Sequence, residues 1–316
     1  MGKVVITGAT GAIGRALITE AVKDGQEVLA IVHRDSGRAD ELSEIEGCRV
    51  LKADLAEYGK LPQLMEEQQL DINGYDMFFH LAWMAPFGSG RDNLDLQLDN
   101  VHASLAAVRL AGRMGCRVFI GTGSQAEYGR VEGTLRPDTP AHPETGYGIS
   151  KLCAGQMTRL LCGQMGMRHI WTRILSVYGP YDRKETLLST AVIDMLEGKE
   201  TAFTPCDQIW DYIYSEDAAR AVYEAGKKGK NGAVYIIGSG ETRRLAEYIK
   251  VIGRLTGYTK EIGFGRRPYN DKQVMYLKAD IGSLKRDTGF ELEVRFEEGA
   301  ARLIEFFKNQ GYGRRK

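Results

Sequence analysis

The chain has 316 residues, 43% hydrophobic and 27% charged, and its 42 basic side chains balance its 42 acidic ones. This length supports a large core and about two domains, while zero net charge excludes a general nucleic-acid binder, which needs a concentrated basic surface. No run approaches the roughly 18 apolar residues of a membrane span, and neither cysteines nor histidines show metal-site or disulfide-framework spacing, so neither membrane anchoring nor a metal is expected.

The chain opens on a strand pattern, Lys3–Thr7, rather than on a signal peptide, and a cytoplasmic location is expected. The strand runs into Thr7-Gly8-Ala9-Thr10-Gly11-Ala12-Ile13-Gly14, followed by a helix over Ala12–Lys23. Glycines at 8, 11 and 14 permit a tight turn, close approach of a pyrophosphate and close helix–strand packing. The helix N-terminus attracts the anion. A dinucleotide is therefore expected at Gly8, Thr10, Gly11, Ala12, Ile13 and Gly14.

A second strand, Glu27–Val32, leads to His33-Arg34. An acid at this place reads the ribose hydroxyls of NAD, and a base pairs with the extra phosphate of NADP. Arg34, with His33 and Arg38 near it, favours NADP(H) over NAD(H), although Asp35 adjoins it.

Further strands are predicted at Arg49–Lys52, Met77–His80, Arg117–Ile120 and His169–Arg173, with helices at Asn100–Met114 and Gly146–Met165 between them. This alternation predicts an α/β fold, a doubly wound parallel (Rossmann) sheet covered on both faces. After Gly179-Pro180 the chain turns helix-rich, with Leu187–Glu197 and Leu245–Leu255 amphipathic. The run Ala233–Gly238, preceded by a helix over Ser215–Gly226, is expected to return to the sheet. Residues 1–179 with about 211–239 would form the dinucleotide-binding domain. About 180–210 with 240–316 would form a smaller, discontinuous substrate domain, whose basic end, Gly311–Lys316, reads as a solvated tail.

Tyr147 and Lys151 are four apart on a helix and share a face. A lysine and an oxidised nicotinamide both favour phenolate, so Tyr147 can exchange a proton with a carbinol or carbonyl oxygen as hydride moves. Ser124 follows the strand Arg117–Ile120 at the carboxyl edge of the sheet and can hydrogen-bond that oxygen.

The order of these motifs resembles the extended short-chain dehydrogenase/reductase family, in its nucleotide-sugar epimerase, dehydratase and reductase branch. The likeness runs through the opening glycines, Asp54-Leu55, His80-Leu81-Ala82-Trp83, Asn100, Ser124–Gly129, Tyr147 with Lys151, Ser176–Pro180 and Asp211–Asp217. It implies Asp54 and Leu55 at adenine, Leu81, Ala82, Trp83 and Asn100 along the cofactor, and Lys151 on the nicotinamide ribose. It also implies Tyr147 as the acid/base residue partnered by Ser124, with Trp83 and Met84 beside the sugar, and a homodimer through the helices Asn100–Met114 and Gly146–Met165.

Departures narrow the chemistry. Dehydratases of the family carry an acid just after the catalytic-strand Ser or Thr, where this chain has Gln125 and Ala126. Glu127, one place further, is expected to point the other way along an extended backbone. Ser176 replaces a common Asn, and Trp210 replaces a common diphosphate-binding Arg with a stacking face. Arg183, Arg266 and Arg267 are other candidates for a diphosphate. The reading is reduction of a 4-keto nucleotide sugar, with two alternatives: a 4-epimerase with retained NAD, and a non-catalytic cofactor-binding regulator.

Overall fold

A computed structural model describes residues 2–313. Seven parallel strands form the central sheet: β1 Lys3–Thr7, β2 Glu27–Val32, β3 Cys48–Lys52, β4 Met77–His80, β5 Val118–Ser124, β6 Arg168–Ile174 and β7 Val234–Ile237. Their spatial order is β7-β6-β5-β4-β1-β2-β3. The connections leave β1 and β4 in opposite directions, so a crevice opens beyond their carboxyl ends, where Thr7 lies in register with His80.

The flanking helices are α1 Ala12–Lys23, α2 Leu94–Arg113, α3 Gly146–Gln164, α4 Leu187–Leu196, α5 Ser215–Lys228, α6 Leu245–Thr256 and α7 Phe296–Asn309. One sheet face buries its Val4, Ile6, Ala30 and Ile120 against Leu17, Ile18, Ala218 and Val222 of α1 and α5. The other buries Val5, Leu29, Phe78 and Phe119 with Ala107, Val108 and Ala111 of α2 and Cys162 of α3. A separate cluster draws on residues 178–312, including Val192, Phe203, Ile249, Phe296 and Phe307. Asp211, fully buried, staples the loop after β7 to a later segment: it accepts N–H bonds from Ser239, Gly240 and Ala279 at 2.8, 3.0 and 3.2 Å.

Two elements exceed their predicted bounds by several residues. Helix α2 starts at Leu94 rather than Asn100, because Asn93 Oδ1 accepts the Leu96 N–H at 3.2 Å and caps it. Strand β5 runs past Ile120 to Ser124 and stays paired with β6 to its end. Of the basic tail, Tyr312 is docked, its hydroxyl receiving Lys184 Nζ at 2.9 Å and its ring against Phe307. Arg314–Lys316 lie outside the described residues. Among the described residues, no helix is long and apolar enough to cross a membrane.

Candidate functional site

The turn between β1 and α1 is shaped by what its glycines avoid. Gly8 has φ +68°, and a Cβ there would sit 2.7 Å from the Ala82 backbone nitrogen. At Gly14 a Cβ would press on Ala9 Cα at 2.8 Å, so α1 lies close on the strand end. Gly11 caps α1 with no side-chain bond, and no acid stands in the first turn. The first N–H groups at Ala12 and Ile13 thus have no side-chain cap and no internal anion, a fit to the pyrophosphate of a dinucleotide. Thr10 flanks this turn, and its carbonyl takes Arg38 Nη1 at 3.3 Å.

Thr7 joins the turn to the end of β4. Its Oγ1 accepts the Leu81 and Ala82 N–H groups at 3.1 and 3.2 Å, leaving its hydrogen for His80 Nδ1 at 2.9 Å. Ser104 donates to the Asn100 carbonyl, so His80 Nε2 donates to Ser104 Oγ at 3.1 Å. That requires a neutral ring, and burial pushes His80 down to about 3. Leu81 and Ala82 are thereby fixed on the crevice floor. Asn100 is buried: its Oδ1 accepts Met84 N–H at 2.7 Å, and its Nδ2 serves the Met84 and Leu96 carbonyls. Its amide braces the wall carrying Trp83 and Met84 from behind.

Beyond β2, the Arg34 backbone N–H and His33 Nε2 both reach Asp54 Oδ1 at 3.2 Å. The Arg34 guanidinium lies fork-to-fork on Glu57 at 2.8 and 2.6 Å and holds that carboxyl at about 2. Glu57 also accepts the Asp54 N–H at 2.9 Å. Asp54 therefore caps a short 3-10 helix, Leu55–Lys60, whose Leu55 packs on the core. Arg34 stands at the mouth of the crevice already paired.

Tyr147, Lys151, Ser124 and Trp83 converge at the carboxyl end of β5. Lys151 Nζ donates to the Thr122 carbonyl at 2.6 Å and lies 3.8 Å over the Trp83 ring. Burial pulls this ammonium from its ordinary 10.5 to about 7, with Glu127 pushing the other way. The Trp83 ring meets Tyr147 edge-on at 6.1 Å, and its Nε1 donates to buried Gln97 at 2.8 Å. Burial raises the Tyr147 phenol, while the Ser124 hydroxyl and Arg91 lower it. Arg91, which no motif had singled out, lies 4.6 Å over the Tyr147 ring. Its neighbour Asp92 accepts the Gly146 N–H at 2.8 Å, tying that loop to the start of α3.

Glu127 corrects a sequence expectation. A single 3-10 turn over Gln125–Glu127 replaces extended backbone, and its carboxylate returns to accept the Ser124 N–H at 2.9 Å. Gln125 stays half-buried in the same turn. Ser176 Oγ accepts Trp210 Nε1 at 2.9 Å, so those two positions form one contact. Arg183 lies over Phe87, and Arg266 pairs with Glu200 at 3.5 Å.

Residues 4–238 match the model of the NAD dependent epimerase/dehydratase family. A dTDP-glucose 4,6-dehydratase of Salmonella typhimurium is 24% identical across 96% of this chain and 92% of its own length. A dTDP-4-dehydro-6-deoxyglucose reductase of Escherichia coli is 25% identical across 95% of this chain and 96% of its own. Among solved structures, UDP-glucose 4-epimerase of Thermotoga maritima with UDP-glucose shares the fold, with a TM-score of 0.84 at 23% identity over 98% of this chain and 99% of that one.

Proposed function

The chain belongs to the NAD-dependent epimerase/dehydratase family, in the nucleotide-sugar branch of the extended short-chain dehydrogenases/reductases, and from that premise we propose that it reduces the 4-keto carbonyl of a nucleotide-activated hexose, with Tyr147 as proton donor. The supporting observation is the lack of a free acid in the segment after Ser124. Gln125 and Ala126 exchange no proton, and the Glu127 carboxylate is turned inward onto Arg173 at 2.7 Å. Eliminating water from the sugar needs a further acid/base there; reduction needs only the phenol. The full-length likeness to a dTDP-4-dehydro-6-deoxyglucose reductase is compatible with that choice, and the choice itself rests on the missing acid.

The nicotinamide dinucleotide, when bound, supplies the hydride. Gly8, Thr10, Gly11, Ala12, Ile13 and Gly14 would hold its pyrophosphate, Asp54 and Leu55 its adenine side, and Leu81, Ala82 and Trp83 the crevice wall, with Asn100 as brace. Lys151 commits one N–H to Thr122 and keeps two for the ribose hydroxyls. NADP(H) is the preferred form on this reading: Arg34 exchanges the Glu57 carboxylate for a 2′-phosphate, a charge-assisted pair of the same fork geometry.

A phenol raised by burial stays protonated at neutral pH, which suits donation to a carbonyl oxygen gaining charge. Ser124 Oγ accepts the Ala126 N–H at 3.2 Å, so its own hydrogen remains for donation, to the Tyr147 oxygen and, with sugar bound, to that carbonyl oxygen. Met84, Gln125, Ser176 and Trp210 would line the sugar. A homodimer through α2 and α3 belongs to the same reading.

The test follows reduced-nicotinamide absorbance as NADPH, then NADH, is added with a panel of nucleotide 4-keto sugars. Stoichiometric oxidation is expected, faster with NADPH. Tyr147→Phe loses about 1000-fold in turnover while still binding NADPH. Interconversion of 4-epimers without net oxidation would replace reduction by epimerisation.

A further inference from the structure

We propose that Glu127 is a positioning residue for this chemistry, its buried carboxylate fixing the Ser124 end of β5 and with it the hydroxyl presented to Tyr147. The inference rests on the reading of Tyr147 as proton donor.

Glu127 is fully buried and every contact of its carboxylate is a donor: Ser124 N–H at 2.9 Å, Trp171 Nε1 at 3.0 and 3.3 Å, and Arg173 Nε at 2.7 Å. Glu127 and Ser124 clasp each other across three residues. The carboxylate holds the Ser124 N–H, and Ser124 Oγ takes the Ala126 N–H. The Ser124 N–H and Oγ are thus both held within this turn, and the hydroxyl keeps its hydrogen to donate.

The surrounding sequence is cut to fit. Trp171 lies across β5 where Gly121 and Gly123 leave room: a Cβ at either would collide with the indole, and at Gly123 with Glu127 as well. Gly155 on α3 leaves room on the opposite side, where a Cβ would lie 2.8 Å from the same indole. Arg173 is held from beyond by the Tyr128 ring at 4.3 Å. A buried ion pair adds little stability over well-packed apolar residues. Here its one link to the reactive edge is the backbone N–H of Ser124.

The charge also reaches the reacting groups. Glu127 raises the phenol of Tyr147 and the ammonium of Lys151, against Arg91 over the Tyr147 ring and the burial of Lys151. Removing it leaves Arg173, Lys151 and Arg91 unopposed.

The test compares Glu127→Gln with wild type, both with NAD+ added and each referenced to its own Tyr147→Phe counterpart. The difference in phenolate absorbance during a pH titration then reports Tyr147 alone and needs no sugar. The expected midpoint falls by about one unit in Glu127→Gln and returns toward wild type in Glu127→Asp, which restores charge but not reach. On the sugar substrate, kcat falls at least about tenfold with KM changed less than about threefold, as for a misplaced catalytic group. A folded Glu127→Gln protein with wild-type midpoint and kcat would overturn the proposal. Should that variant not fold, Glu127→Val with Arg173→Leu removes both charges together. It is expected to fold and show the same loss of kcat, and wild-type kcat there overturns the proposal too. Turnover surviving in Tyr147→Phe would overturn the proton-donor reading instead, while the titration still judges Glu127.

Discussion

Lys151 is a cation held where cations are costly, between the Thr122 carbonyl at 2.6 Å and the face of Trp83 at 3.8 Å. Burial lowers it to about 7, and only the more distant Glu127 opposes that shift. The unfolded chain keeps its lysine protonated up to about 10.5, so between about pH 7 and pH 10.5 the unfolded state binds the extra proton and stability rises with pH. The contribution is complete above about 10.5 and disappears as pH falls through about 7. Lys151→Met removes this titration, so the stability of wild type relative to the variant should climb across that window in urea unfolding measured at several pH values. A difference that stays flat with pH would mean that the ammonium is not desolvated as the geometry shows.

At the scale of elements, the start of α1 carries two opposing demands. Its free N–H groups would be satisfied by an acid of the chain itself, yet Gly11 brings no side chain to cap them and the first turn holds no acid. Ala12→Asp should therefore raise thermal stability by about 0.3–1 kcal/mol through the helix dipole while weakening NADH binding at least about tenfold, read from melting curves and from fluorescence titration. NADH binding left unchanged by Ala12→Asp would place the pyrophosphate elsewhere. This turn was legible in sequence because glycine, β-branched strand and helix signals fall within a dozen residues, and α1 spans Ala12–Lys23 as read. The first turns of α2 were not legible: Leu94 and Leu98 face outward there, so apolar periodicity begins only where the helix meets the core. Strand β5 was cut short at Gly121 for the opposite reason. Two glycines read as a break, and the cause of their tolerance, the indole of Trp171, lies 50 residues away at Gly121 by the register of β5 with β6. The inward turn of Glu127 depends on that same distant tryptophan and on Arg173, so no local pattern could announce it.

Across the whole molecule, most large apolar side chains are interior, but five remain exposed on two helices that pack together. Leu94 and Leu98 on α2 and Ile149, Met157 and Leu160 on α3 are between 44% and 66% exposed, while the opposite sides of both helices bury Ala107, Val108 and Cys162 in the core. Apolar side chains gathered on one face mark an interaction surface, and a face that pairs with its own copy about a two-fold axis closes without leaving a free end. Such pairing would set four helices side by side. Tyr147 lies on the inner side of the same helix α3 that offers Ile149 outward, so the dimer would also stiffen the element on which the phenol stands. The expected solution state is a dimer, and Leu98→Glu with Leu160→Glu should convert it to a folded monomer, because neither side chain contributes to the core. Sedimentation at micromolar concentration checks both states. The monomer should melt at a lower temperature and lose part of kcat while keeping its cofactor affinity, since the glycine turn feeds α1, which packs on the opposite face of the sheet from α2 and α3. A wild-type chain sedimenting at the mass of one copy would leave that face to another partner, and unchanged kcat in the monomer would remove the link between the contact and Tyr147.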